Sequence, residues 1–102
     1  MHARVTTFHV PPEKLKEART RSTEAKSQAA AIPGLYEWFV AAHDDGQCIA
    51  VALYHGKEAA DAALPHAKAM LSRFADLMCS TPQPSSYEVY VHEQGPPHKA
   101  AP

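Results

Sequence analysis

The chain contains little that marks a reaction by itself. Its 102 residues include only two cysteines, and no formal charge dominates, with ten basic residues against eleven acidic ones. Cys48 and Cys79 are too few and too far apart for a disulfide framework or a zinc motif. Both are expected to be buried free thiols of a reducing compartment. The near balance of charge argues against a nucleic-acid partner, whose phosphates demand concentrated positive charge. Glycine-rich phosphate loops, nucleophile elbows and paired-carboxylate motifs are absent. Glu37 and Glu88 are lone strand carboxylates expected to face solvent. The opening "MHARVTTFHV" lacks an apolar signal core, and no apolar run approaches membrane-spanning length. The expectation is a cytoplasmic protein with neither a membrane nor a nucleic acid as partner.

What the chain does have is "CIAVALY", residues 48–54, without a formal charge, proline or glycine. Strand side chains alternate between faces, so Cys48, Ala50, Ala52 and Tyr54 share one face and Ile49, Val51 and Leu53 the other. Both faces call for cover. Around this run, "ARVTTFHV" (3–10) and "LYEWFVAAH" (35–43) read as strands from their β-branched and aromatic content, and "SYEVYVHE" (86–93) as a fourth. "DDGQ" (44–47) is a hairpin signal, because Asp45-Gly46 tolerates the positive backbone angles of a tight turn. The segment after Pro11 is helical, with Leu15, Ala18, Ser22, Ala25, Ala29 and Ile32 forming one narrow inward stripe, until Pro33 and Gly34 stop it. A second helical segment runs from Gly56 to Ser80, interrupted near Pro65. It carries Ala67, Met70, Leu71, Phe74, Leu77 and Met78 on one face. "TPQPS" reads as a linker. Residues 1–94 form one domain and 95–102 a flexible C-terminal tail with nothing to bury.

The order β-α-β-β-α-β with right-handed crossovers predicts an α+β, ferredoxin-like split βαβ unit with antiparallel sheet order 4-1-3-2. Two helical segments cover only one face of such a sheet. The third strand is central and apolar on both faces, so a second copy packed sheet to sheet is the expected cover, giving a homodimer. A domain this small buries only about two-thirds of its unfolded surface, and an interface would help it.

Four stretches in this order, "ARVTTFHV", "IPGLYEWFVAAHDDGQ", "ALYHGKEAADAA" and "SYEVYVH", resemble the antibiotic biosynthesis monooxygenase (ABM) type of dimeric α/β barrel, over about residues 2–93. That resemblance implies ferredoxin-like subunits in a shared barrel. It also implies an oxidoreductase reading, since better-known members include cofactor-free quinone-forming monooxygenases and haem-degrading oxygenases. Where the monooxygenases place a Trp at the end of the third strand, this chain has Tyr54. Their Asn four residues earlier corresponds to Ala50, and their Tyr on the following helix to Ala60. The haem-degrading branch has an Asn in its first strand, which is missing here, and an axial His near the position of Arg73. His66 lies close by in sequence.

Each candidate residue has a plainer reading beside the functional one. Tyr54 is either a structural phenol or the wall of a cavity floored by Cys48, Ala50 and Ala52, facing the first helix's small-residue stripe. His66, at the break in the second helix, is a solvent-facing side chain or a general base at a pocket mouth. Trp38 serves packing or the pocket, as does Phe74. His2, His55 and His92 fall at one end of three adjacent strands, where a three-histidine metal site needs all three rings on one face. The function expected is a cofactor-independent monooxygenase acting on a small aromatic or polyketide-like compound. Tyr54 and His66 are its catalytic residues, and Cys48, Ala50, Ala52, Trp38 and Phe74 line its substrate pocket. No cofactor and no metal are called for. The alternatives are a non-catalytic small-ligand-binding or stress-related dimer, and a haem-binding or haem-degrading protein.

Overall fold

The computed structural model describes residues 1–96. Four strands form one antiparallel sheet in the order β2-β3-β1-β4: β1 is His2–His9, β2 Leu35–Ala42, β3 Gln47–Tyr54 and β4 Gln83–Glu88. This is the expected 4-1-3-2 order. A single 3-10 turn at Pro12–Lys14 leads into α1 (Leu15–Glu24) and α2 (Lys26–Ala30). The second crossover is α3 (Lys57–Ala62) and α4 (Leu64–Ser72). Its break falls at Ala63, one residue before α4 begins, and Pro65 sits in the first turn of α4, where a missing N–H costs nothing.

All helices lie on one face of the sheet. The inward stripe of the first crossover is as expected: Ala18, Ala25, Ala29 and Ile32 are buried, and Leu15 and Ser22 half-buried. Two clusters make up the core. One gathers Ala25, Ala29, Ile32, Ala60, Ala63 and Met70 around Tyr54; the other gathers Phe8, Val10, Ala18, Cys48 and Leu77. Arg21 of α1 ties down the chain beyond α4, pairing with Asp76 and donating from Nη1 to the Arg73 carbonyl at 2.8 Å.

Three expectations are corrected. The β2–β3 turn has a positive φ only at Gly46, not at Asp45. His43 N–H donates to Gln47 O and Gly46 N–H to His43 O, so the loop is a three-residue turn closing on a left-handed glycine. A side chain at Gly46 would also strike the Val10 carbonyl, with a Cβ only 2.0 Å from that oxygen. The fourth strand begins and ends earlier than its apolar alternation suggested. Pro84 is tolerated because β4 is an edge strand. Its register pairs His2 with Glu88, and one further bond runs from Val89 N–H to Met1 O. Tyr90 and Val91 are exposed. Finally, Cys79 is exposed and only Cys48 is buried. The tail expected at 95–102 lies outside the described residues from position 97 onward.

Candidate functional site

The β-pairing explains where a cavity forms. On the helix-facing side, one cross-sheet row runs Trp38–Ala52–Arg4 and the next Val40–Ala50–Thr6. The central strand thus contributes two alanines between larger neighbours. A floor of methyl groups with tall walls leaves space unless a helix fills it. Ala67, Met70 and Leu71 of α4, with Phe74, roof the space without filling it, and Tyr54 and Phe8 stand at opposite ends. The result is a cavity of about 50 Å³, lined almost wholly by carbon. That is room for more than one water molecule, and for a small flat ligand if the roof yields. The small-residue stripe of the first crossover packs against the core instead of facing this space. Only Ile32, at its end, reaches the lining.

Among the described residues, four side chains with polar atoms interrupt that lining: Arg4, Thr6, Tyr54 and the indole of Trp38. Tyr54 is 1 % exposed, and burial pushes its phenol above the ordinary value, with the nearby Arg4 guanidinium offsetting part of the rise. At neutral pH it is therefore a protonated donor. Arg4 Cζ lies 5.8 Å from the centre of the Tyr54 ring, within cation–π range. Arg4 is itself buried, at 9 % exposure, and its Nη2 donates to the Ala60 carbonyl at 3.1 Å. Its Nη1 is buried too, with no hydrogen-bond partner among the described residues. No carboxylate there comes within ion-pair distance of it.

Of the residues singled out from sequence, Tyr54, Ala50, Ala52, Trp38 and Phe74 line this cavity. Cys48 faces the same side of the sheet but one step further on. It lines an adjoining open recess of about 440 Å³ between α1 and β2, which shares Phe8, Val40 and Phe74 with the cavity. Burial pushes the Cys48 thiol up, away from the reactive thiolate. His66 is exposed on α4 and outside the cavity lining, although its neighbour Ala67 belongs to it. One helical position turns a side chain by about 100°, enough to carry His66 from roof to solvent. The structure does not bring Tyr54 and His66 together in one pocket. Arg4 went unremarked in the sequence. Its signal was available, a lone charge in phase with Thr6 and Phe8 on the inward face of β1.

Among the described residues, no three metal-capable side chains meet. His55 and His92 are instead held against Tyr36, whose ring meets each edge-on at 5.4 and 5.3 Å. His92 Nε2 lies 3.8 Å from a Glu37 carboxylate oxygen. A haem does not fit the cavity, since the macrocycle is far larger than the space and no histidine among the described residues lines it. Arg73, near the axial position of the haem-degrading branch, is exposed at the end of α4.

No family model matches the sequence, and no curated protein matches it. Solved structures do. A protein of unknown function from Nitrosomonas europaea superposes with a TM-score of 0.78 at 17% identity, covering 94% of this chain and 95% of its own. A candidate antibiotic biosynthesis monooxygenase from the same organism gives 0.73 at 16% identity, over 89% of this chain and all of that one. Another, from Caulobacter crescentus, gives 0.72 at 18% identity, over 88% and 90%. The chain has the α+β, ferredoxin-like fold of these ABM-type proteins. At such identities the likeness is one of fold, and the site must be argued from this chain's own residues.

Proposed function

We propose that this chain is a homodimeric, cofactor-independent monooxygenase acting on a small, electron-rich aromatic compound, bound between the sheet and α4. The observation that carries the reading is the apolar cavity beneath α4, into whose lining, among the described residues, Arg4, Thr6, Trp38 and Tyr54 bring the polar groups. Such a space desolvates a flat ring and holds it beside a few fixed donors. The electrons come from the substrate. The carbon para to a phenolate oxygen gives an electron pair to dioxygen, forming a C–O bond and a peroxide anion. The peroxide takes up a proton, for which the buried Tyr54 phenol is the donor at hand, and water re-protonates the phenol. Loss of the para C–H proton and cleavage of the O–O bond then release hydroxide and leave a quinone. Overall, phenol and dioxygen become quinone and one water. The protein's share is positioning, exclusion of bulk water and one proton.

The homodimer is supported by the sheet's other face. There Val5, Val51 and Phe39 form one cross-sheet row and Thr7, Ile49 and Ala41 the next, with no helix over them and Phe39 47 % exposed. A second copy of the same face is the self-complementary cover.

The test uses 1-naphthol as probe in an oxygen electrode. Uptake above the uncatalysed rate, with naphthoquinone formed, is expected. Tyr54→Phe should lower turnover about tenfold or more, and His66→Ala should leave it unchanged. The second reading, a non-catalytic small-ligand binder, is favoured by Ala50 and Ala60, which stand where the monooxygenases carry Asn and Tyr. Saturable binding of 1-naphthol without oxygen uptake would establish that reading instead.

A further inference from the structure

We infer that the cavity selects ligands carrying an oxyanion on an aromatic ring, a phenolate or enolate, and that Arg4 is the residue that selects them. The inference rests on the small-aromatic reading of the site and names the ionic form in which that ligand is held.

A guanidinium buried without a counter-charge is costly, because burial strips away water that nothing replaces. The chain retains one at the wall of an apolar cavity. One arm is satisfied by the Ala60 carbonyl, and the other, Nη1, has no partner among the described residues. Among the described residues, no carboxylate neutralises it. A second copy packed on the open sheet face would not reach it either, because Arg4 projects to the helix side with Thr6 and Phe8. The remaining source of negative charge is whatever occupies the cavity. Ala60 takes one of the guanidinium's five N–H donors, and Nη1 is the buried nitrogen left without a partner among the described residues. A lone aromatic oxyanion brings a full charge to that donor with less polar surface to desolvate in a carbon-lined space than a carboxylate brings.

The choice of charge also resolves a gap in the chemistry. Oxidation by dioxygen needs the substrate deprotonated, yet among the described residues no base lines the cavity. Tyr54 is the only other titratable side chain there, and it is held protonated. If the substrate loses its proton to water on binding, drawn by the guanidinium, no base is required. Arg4 then lowers the pKa of the bound phenol as an opposite charge lowers that of any acid. It touches the substrate oxygen and also increases the electron density that dioxygen consumes.

Three probes test this: 4-nitrophenol, whose anion absorbs in the visible, its neutral analogue nitrobenzene, and benzoate. Bound to the wild-type protein, 4-nitrophenol should keep the nitrophenolate band at a pH where the free phenol has lost it. Nitrophenolate should also bind roughly tenfold or more tighter than nitrobenzene, as one charge-assisted hydrogen bond implies. Arg4→Met should abolish both effects while nitrobenzene still binds. Arg4→Lys, which keeps the charge, should retain part of the spectral shift. The wild-type spectrum decides the matter even if Arg4→Met does not fold. Nitrobenzene bound as tightly as nitrophenolate, or nitrophenol bound in its neutral form, would overturn the inference and leave the small-aromatic reading standing. Benzoate bound more tightly than nitrophenolate would make the site a carboxylate receptor and overturn the assignment of a phenolic oxygen. Binding of none of the three would remove the aromatic site and the inference together.

Discussion

The two faces of the β-sheet use the same strands for opposite ends. On the helix side the residues are uneven in size: alanines at the centre of β3, tryptophan and arginine beside them, a tyrosine at the strand end. Space is left there, and a charge is buried at its edge. The other face is more even, with Val5, Ile49 and Val51 half-buried and Phe39 exposed. An even apolar surface suits association, whereas an uneven one with a stranded donor suits recognition. The comparison separates stability from function. Changes on the open face should alter assembly and leave ligand preference alone, and changes on the helix face should do the reverse.

The largest effect should come from the open face. Val51→Asp places a carboxylate in the centre of the proposed interface and should cost several kcal/mol of association, giving monomer or aggregate in sedimentation equilibrium at micromolar concentration. A wild-type protein that sediments as a well-behaved monomer would undo the assembly half of the comparison. On the helix side, Ala50→Leu should fill the cavity from its floor and abolish binding of aromatic probes. Its stability should shift by no more than about 1–2 kcal/mol, since the added carbons enter existing space. If Ala50→Leu bound as the wild type does, the ligand would lie elsewhere. Arg4→Met should leave the dimer intact and the protein no less stable, because an uncompensated buried charge is exchanged for apolar contact. A thermal melt several degrees below wild type would mean that Arg4 is a structural residue first.

Much of this contrast was legible in the sequence. Strand order and the two helical crossovers followed from periodicity and from the turns at Pro33-Gly34 and Asp45-Gly46, because these signals are local, whereas the split of the first crossover at Ala25 did not. The alternation of "CIAVALY" announced two faces needing cover. What escaped depended on distant partners. The end of β4 is set by its pairing with β1, whose ladder stops at His2–Glu88, so "YEVYV" looks like strand but lies mostly beyond the sheet. His66 looked poised for chemistry beside Pro65, yet one helical step turns it to solvent. Arg4 was invisible as a site residue because burial of a charge depends on which elements close over it. Here α3 supplies the Ala60 carbonyl from 56 residues away.

The two cysteines carry the comparison to reactivity. Cys48 is buried beneath the helices with its thiol pushed up, and Cys79 is exposed at the end of the second crossover. In the native protein a thiol reagent should label Cys79 rapidly and Cys48 much more slowly, with both labelled after denaturation without reduction. Equal native rates would mean that the recess beside Cys48 opens freely to solvent. Because that recess adjoins the ligand cavity, an aromatic ligand that enters through it should slow the labelling of Cys48 and leave Cys79 unaffected.

The smallest effect lies at the rim, where Arg21 joins α1 to the chain beyond α4. Its guanidinium pairs with Asp76, with Nη2 donating to Oδ2 at 3.0 Å, and Glu17 adds a second carboxylate at 3.2 Å from Nε. The hydrogen bond from Arg21 holds the Asp76 carboxyl below its ordinary value. A carboxylate whose folded pKa is depressed stabilises the fold above its unfolded value and loses that contribution as pH falls through the folded one. The expected window therefore opens below about pH 4, the ordinary aspartate range. Since the pair is largely exposed, the effect is modest and screened by salt. Denaturant unfolding of wild type and Asp76→Asn should show a difference that is constant near neutrality, shrinks in that acid window and is reduced in molar salt. Arg21 keeps its bond to the Arg73 carbonyl in the variant, so α1 stays docked and the comparison isolates the carboxylate. A difference that persisted unchanged to the lowest pH would show that Asp76 acts through packing or turn geometry, and that the rim contributes no electrostatic stability.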